Sequence, residues 1–278
     1  MFNSDIQEHL EKIDNQIREL NELKEDLLSD TNKDEIESFS SFKNRVSKKP
    51  KPIKYETGVF AIDSQVGGFA EGSFIQLAGE SFAGKSTLSL KILSNISRYA
   101  KTLFFSFEMY ESVLVNYLKE LDEVQANNLM ISQDHRELSQ IERVIAKYSK
   151  ELNIRFIAID SRMKINVSGK MEEFQKNSTI SKELSRMCQK YGVIILLINQ
   201  ISEGDLKSGR LSLKGSGDQV YDSDVLLYIT VEGKNTENEK RWLICDKDRI
   251  GQKRWKALLE YSKPKEIVYN MPVIWCIV

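Results

Sequence analysis

Apolar positions fall into two regimes along the chain. In the first, Ile6, Leu10, Ile13, Ile17, Leu20 and Leu27 recur at spacings of four and three, with Lys24 at the one seam position that is not apolar. This heptad pattern predicts an amphipathic helix whose stripe must pack against something. Ser4, followed three residues later by Gln7, forms a capping box that satisfies the first free backbone donors of that helix. About three heptads make a marginal coiled coil alone, so the stripe either lies on its own domain or docks on a partner. From Gly58 the second regime begins, in which strand-length apolar runs alternate with segments of helical period. The runs are FIQLAG, TLFFSFE, IRFIAID and VIILLINQ, then DVLLYITV and RWLICDKD; GKSTLSLKILSNISRY and TISKELSRMCQKY lie between them. Runs apolar on both faces, joined by long crossovers, predict an α/β fold with a mainly parallel sheet flanked by helices. The strands after Asp224 follow one another without obvious helices, which predicts antiparallel pairing at one edge. No internal repeat is evident.

Charge refines this division. Residues 1–40 hold 12 acids against four Lys and Arg, whereas Lys43, Arg45, Lys48, Lys49, Lys51 and Lys54 follow with no acid among them. Pro50 and Pro52 forbid a regular helix through KKPKPIK, so residues 41–55 read as an extended basic linker. The expected organisation is an acidic heptad helix over 1–40, this linker, and a globular domain over 56–278. The whole chain of 278 residues is near balance at −1, which excludes a global basic field for nucleic acid and leaves local patches to be read. Cys188, Cys245 and Cys276 are widely spaced and the only histidines are His9 and His135, a pattern that offers neither a disulfide framework nor a zinc site. The first residues lack the basic flank and apolar run of a secretory signal. The longest apolar run, Val193 to Ile198, is about a third of a membrane span. Cys276 stands third from the end, so it makes no prenylation box. A cytoplasmic protein with no membrane association is the expectation.

Between FIQLA and LSLKIL stands GESFAGKST, comprising Gly79, Glu80, Ser81, Phe82, Ala83, Gly84, Lys85, Ser86 and Thr87. It satisfies G-x-x-x-x-G-K-[ST] with a strand before it and a helix after it. Glycines let backbone N–H groups wrap an anion, and the helix start adds its positive dipole end. The lysine reaches the β and γ phosphates, and the Ser86 hydroxyl binds Mg²⁺. Hydrolysis needs more: a carboxylate near the magnesium and a group that positions water. Asp160 ends the strand IRFIAID in the Walker B manner, and Glu108 ends TLFFSFE.

Taken in order, TGVFAIDSQVGGFAEGSFIQLAGESFAGKST, LFFSFEM, IAIDS and VIILLINQIS resemble the ATPase motifs of the RecA-like core, most of all those of DnaB-type ring helicases. The similarity covers roughly residues 56–262. It implies a RecA-like P-loop NTPase fold, ATP and Mg²⁺ as cofactors, and Glu108 as the base that polarises water. Asp160 would hold the hydrated magnesium, and Gln200 would sense the γ phosphate. Lys247 and Arg249, in CDKDRIGQ, match a K-x-R pair that reaches the neighbouring subunit's γ phosphate, which implies a ring-shaped homo-oligomer such as a hexamer. Two loops of such motors grip single-stranded DNA. Here they correspond to SRMKINVSGK, with Arg162, Lys164 and Lys170, and to ISEGDLKSGRLSLKGSG, with Lys207, Arg210 and Lys214. The resemblance thus implies a DNA helicase or translocase in replication or repair. An ATP-switched assembly or regulatory protein and a filament-forming recombinase share the core and stay open, although SFEM and the K-x-R pair lean towards the helicase branch. The acidic heptad helix stands where replicative helicases place a globular domain; it is expected to dock on a neighbouring subunit or a protein partner.

Overall fold

Strands whose side chains are apolar on both faces are stable only when helices cover both sides, and that is how this chain folds. The computed structural model describes residues 36–48, 51–169, 171–201, 222–234, 236–249, 251–262 and 266–268. The heptad helix expected over residues 1–35 lies outside the described residues. The chain divides into two units, Met1–Lys51 and Pro52–Val278.

In the first unit, helix α1 (Phe39–Ser47) is capped by Ser38, whose side chain accepts from the Ser41 N–H, and it buries none of its residues. This differs from the extended segment expected there. The N-cap serine and a run free of proline up to Lys49 favour a helix, which ends before Pro50 as proline demands.

The second unit is built on a nine-stranded sheet. The chain enters through a two-stranded ladder of β1 (Lys54–Tyr55) and β2 (Phe69–Ala70) that flanks α2 (Phe60–Val66). It then forms β3 (Phe74–Gly79), α3 (Lys85–Ile96), β4 (Lys101–Ser106), α4 (Glu111–Leu118), α5 (Glu123–Asn128), β5 (Leu129–Ser132), α6 (Leu138–Glu151) and β6 (Ile154–Asp160). After a 3₁₀ turn at Arg162–Lys164 come α7 (Glu173–Tyr191), β7 (Ile194–Gln200), β8 (Val225–Glu232), β9 (Lys240–Asp248), β10 (Trp255–Ser262) and β11 (Glu266–Val268). The spatial order is β11-β10-β9-β8-β3-β7-β6-β4-β5. Strands β8, β3, β7, β6, β4 and β5 run parallel, and β9, β10 and β11 add antiparallel pairings at one edge. Both features match the sequence pattern.

Alternation along each strand divides the core in two. Ile75, Leu77, Phe104, Phe156, Ala158, Leu196 and Leu227 pack with Leu88, Ile92 and Ile96 of α3 on one face. Phe74, Leu103, Phe105, Ile157, Ile159, Ile195 and Leu197 pack with Ile141 and Ile145 of α6 and Leu184 and Met187 of α7 on the other. Truncating any one of these aliphatic side chains to alanine costs about 2–5 kcal/mol, so the strand ends they support are rigid platforms. Local signals fix the helices. Glu137 and Gln140 make a capping box at α6, Asp122 and Gln125 another at α5, and Gly192 closes α7 in the left-handed conformation.

Candidate active site

Parallel strands point their C-terminal ends to one edge, where ligands of open α/β sheets bind. The register makes this concrete: Gly79 pairs with Gln200, and Ser106 with Asp160. The glycine-rich loop, Glu108, Asp160 and Gln200 therefore meet at the same edge. A cleft of about 1410 Å³ opens there, with Lys85, Ser86, Glu108, Asp160, Ser161 and Gln200 in its wall.

The loop leaves β3 at Gly79, where a Cβ would lie 2.7 Å from the Ile229 carbonyl oxygen; only glycine lets β8 approach so closely. Ala83 N–H donates to Glu80 O at 3.3 Å to close the turn. Gly84, at φ 101, then turns the chain into α3. Phe82 also sits at positive φ (64) and is 92% exposed, a strained conformation of the kind found where backbone is shaped for a ligand. Lys85 Nζ donates to Glu80 O at 2.7 Å. Burial pulls its ammonium below the ordinary lysine value, opposed by the nearby Asp160, Glu108 and Glu80.

Asp160 is 2% exposed and accepts from Ser86 Oγ at 2.5 Å. Burial pushes its carboxyl up to about 6 and the Glu108 charge adds to the rise, while the Ser86 hydrogen bond and Lys85 oppose it. A buried carboxylate beside a hydroxyl at a helix start is an oxygen-only pair that fits a hard divalent cation, which needs only one or two protein ligands of this kind. Among the described residues no group of three or more His, Cys, Asp and Glu could hold a metal, which is in keeping with such a sparse set. The Asp160–Ser161 peptide is cis. Ser161 Oγ donates to Glu108 Oε1 at 2.5 Å, and Gln200 Nε2 donates to Ser81 Oγ at 2.6 Å.

The hairpin between β8 and β9 brings cations that the sequence pattern did not reveal. Lys234 Nζ lies 2.8 Å from Glu80 Oε2, and Arg241 NH1 donates to Ala83 O at 3.4 Å. Neither has a local motif; only the strand register places them beside the loop. Ser161 was within reach of sequence reasoning, as the immediate neighbour of Asp160 in IAIDS.

Other expected residues lie elsewhere. Strand β9 starts beside the loop and runs back antiparallel, Lys247 opposite Leu226 and Asp248 opposite Val225. Lys247 and Arg249 thus stand at the opposite edge of the sheet, away from their own chain's cleft. Arg249 NH1 pairs with Asp224 Oδ1 at 3.1 Å, and burial, then the Arg249 charge, hold Lys247 below its ordinary value. Arg162, expected on a DNA-facing loop, is a correction: it is 4% exposed, because the 3₁₀ turn folds it inward, and burial lowers it to about 10 against the pull of Glu173. Lys164 is exposed. Lys170, Lys207, Arg210 and Lys214 lie outside the described residues.

Known proteins share this arrangement. Protein RecA of Mycoplasma mobile is 27% identical over 161 residues, 54% of this chain and 48% of the relative. The replicative DNA helicase DnaB of Treponema pallidum is 23% identical over 228 residues, 70% of this chain and 51% of the relative. The chain thus spans about half the length of the curated relatives it matches. Among solved structures, a DnaB-like replicative helicase superposes with a TM-score of 0.69 or just below, at 0.68, with 18% identity over 83% of this chain and 66% of that one. The family described as the RecA N-terminal domain matches residues 37–209, and with the P-loop, the strand order and the strand-end carboxylates all in place, the chain belongs to that family, with a RecA-like core similar to DnaB.

Proposed function

We propose that the protein hydrolyses ATP in a Mg²⁺-dependent reaction and is an oligomeric DnaB-like motor acting on single-stranded DNA. The observation that carries this reading is the convergence of Lys85, Ser86, Glu108 and Asp160 on one cleft at the strand ends. The loop amides and Lys85 hold the β and γ phosphates. Ser86 and Asp160 would hold Mg²⁺, which when bound neutralises phosphate charge. Glu108 takes a proton from water as the water oxygen bonds to the γ phosphorus; the bond from that phosphorus to the bridging oxygen breaks, and ADP leaves with the electron pair. Gln200, tied to Ser81 of the loop, relays γ-phosphate occupancy. Lys247 and Arg249, at the far edge of their own sheet, serve the cleft of an adjacent copy, so the site is complete only in an assembly. Lys164, and beyond the described residues Lys170, Lys207, Arg210 and Lys214, supply contacts to the DNA backbone. The heptad segment docks on a neighbouring subunit or a partner. The DnaB relative is named a replicative DNA helicase, and a role in replication or repair follows that similarity.

Steady-state phosphate release with Mg-ATP tests the chemistry. Glu108→Gln is expected to lose about 10²-fold or more in turnover while still binding nucleotide, and Lys85→Ala to lose both. Equal turnover in the wild type and the two variants would sink the assignment.

A further inference from the structure

We infer that Ser161 is a positioning residue that fixes the Glu108 carboxylate for proton abstraction and couples it to the loop after β6. The inference rests on the ATPase reading and deepens it. Ser161 Oγ donates to Glu108 Oε1 at 2.5 Å across two adjacent strand ends, which are themselves joined by Phe107 N–H to Asp160 O at 2.9 Å. Serine ahead of a helical turn commonly turns its side-chain oxygen to the first free N–H groups of that turn. Ser161 does not: it makes no side-chain cap to the Arg162–Lys164 turn, and its backbone oxygen accepts from Lys164 N–H at 3.0 Å. The hydroxyl is committed to the carboxylate instead. With Oε1 held, a side chain that would otherwise sample several rotamers presents Oε2 in one orientation, the kind of preorganisation that separates turnover from binding.

The same hydroxyl opens a short segment pinned at both ends. At its far end Asn166 N–H donates to Arg136 O at 2.8 Å, and Leu138 N–H donates to Asn166 O at 2.9 Å, tying the segment to the start of α6. Between the pins, Met163 and Lys164 are exposed. A polyanion that engages Lys164 therefore acts on a segment whose first residue sets the Glu108 orientation. The loop is joined to the carboxylate through one side chain.

The test compares wild type, Ser161→Ala and Ser161→Thr as full chains. ATP turnover is measured with and without oligothymidylate, alongside binding of a non-hydrolysable ATP analogue. Ser161→Ala is expected to lower kcat about tenfold, with KM and analogue affinity within about twofold and with stimulation by the oligonucleotide reduced. Ser161→Thr, which keeps the hydroxyl, restores most of both. Wild-type turnover and stimulation in Ser161→Ala would overturn the inference, as would a loss confined to KM or to analogue binding, which marks a purely structural residue. Failure of the ATPase reading is visible separately, as a wild type that binds the analogue yet releases no phosphate.

Discussion

Asp160 is surrounded by Ser86, Lys85 and Glu108 and almost sealed from water, and its charge is costly until a cation arrives. Its carboxyl titrates at about 6 when folded, above the model value of 3.8, so the folded state binds this proton more tightly than the unfolded chain. The stability linked to this group is fully present below the unfolded value and is lost as pH rises through about 6. In metal-free buffer Asp160→Asn should therefore be more stable than wild type near neutral pH, by on the order of 2 kcal/mol, with the gap opening as pH rises from 5 to about 7. Mg-ATP should stabilise wild type and not the variant. Thermal melts across that range check this; a gap that is constant or of opposite sign would contradict it. Gly79 to Thr87, Glu108 and Asp160 were legible in the sequence because each closes or follows an apolar run. Ser161, Lys234 and Arg241 were not, since their importance comes from contacts made across strand ends and a hairpin. Arg162 was misjudged because residue type does not reveal whether a turn folds a cation inward.

At the scale of elements, the loop works because β8 presses against β3. Six strands were readable as apolar runs, along with the antiparallel edge. The four-residue β5 at the sheet margin was not, because burial alternates and the run is too short for a period to register. Helix α1 was masked by the basic charge around it, although Ser38 supplies its cap. The close approach of β3 and β8 gives a sharp test. Gly79→Ala places a methyl group 2.7 Å from the Ile229 carbonyl oxygen, so the strands must separate. A loss of about 1–3 kcal/mol in urea unfolding is expected, together with weaker nucleotide binding. Unchanged stability would mean the two strands yield without cost.

For the whole molecule, the decisive feature is that one sheet carries its phosphate loop at one edge and Lys247 and Arg249 at the other. A single chain cannot bring both to one phosphate without breaking β9 from β8, whereas an adjacent copy can. Mixing Arg249→Ala with Lys85→Ala subunits should then recover part of the turnover each lacks, because some interfaces pair an intact loop with an intact arginine. No recovery at any ratio, in a demonstrated oligomer, would count against a shared site. The sequence suggested this division through the K-x-R pair, but only the strand register shows that the pair lies away from its own cleft. The most direct measurement is the initial rate of Mg-ATP hydrolysis together with particle mass, with and without single-stranded DNA. The account predicts a ring-sized species whose rate rises with DNA; a monomer that hydrolyses ATP at full rate and ignores DNA would contradict it.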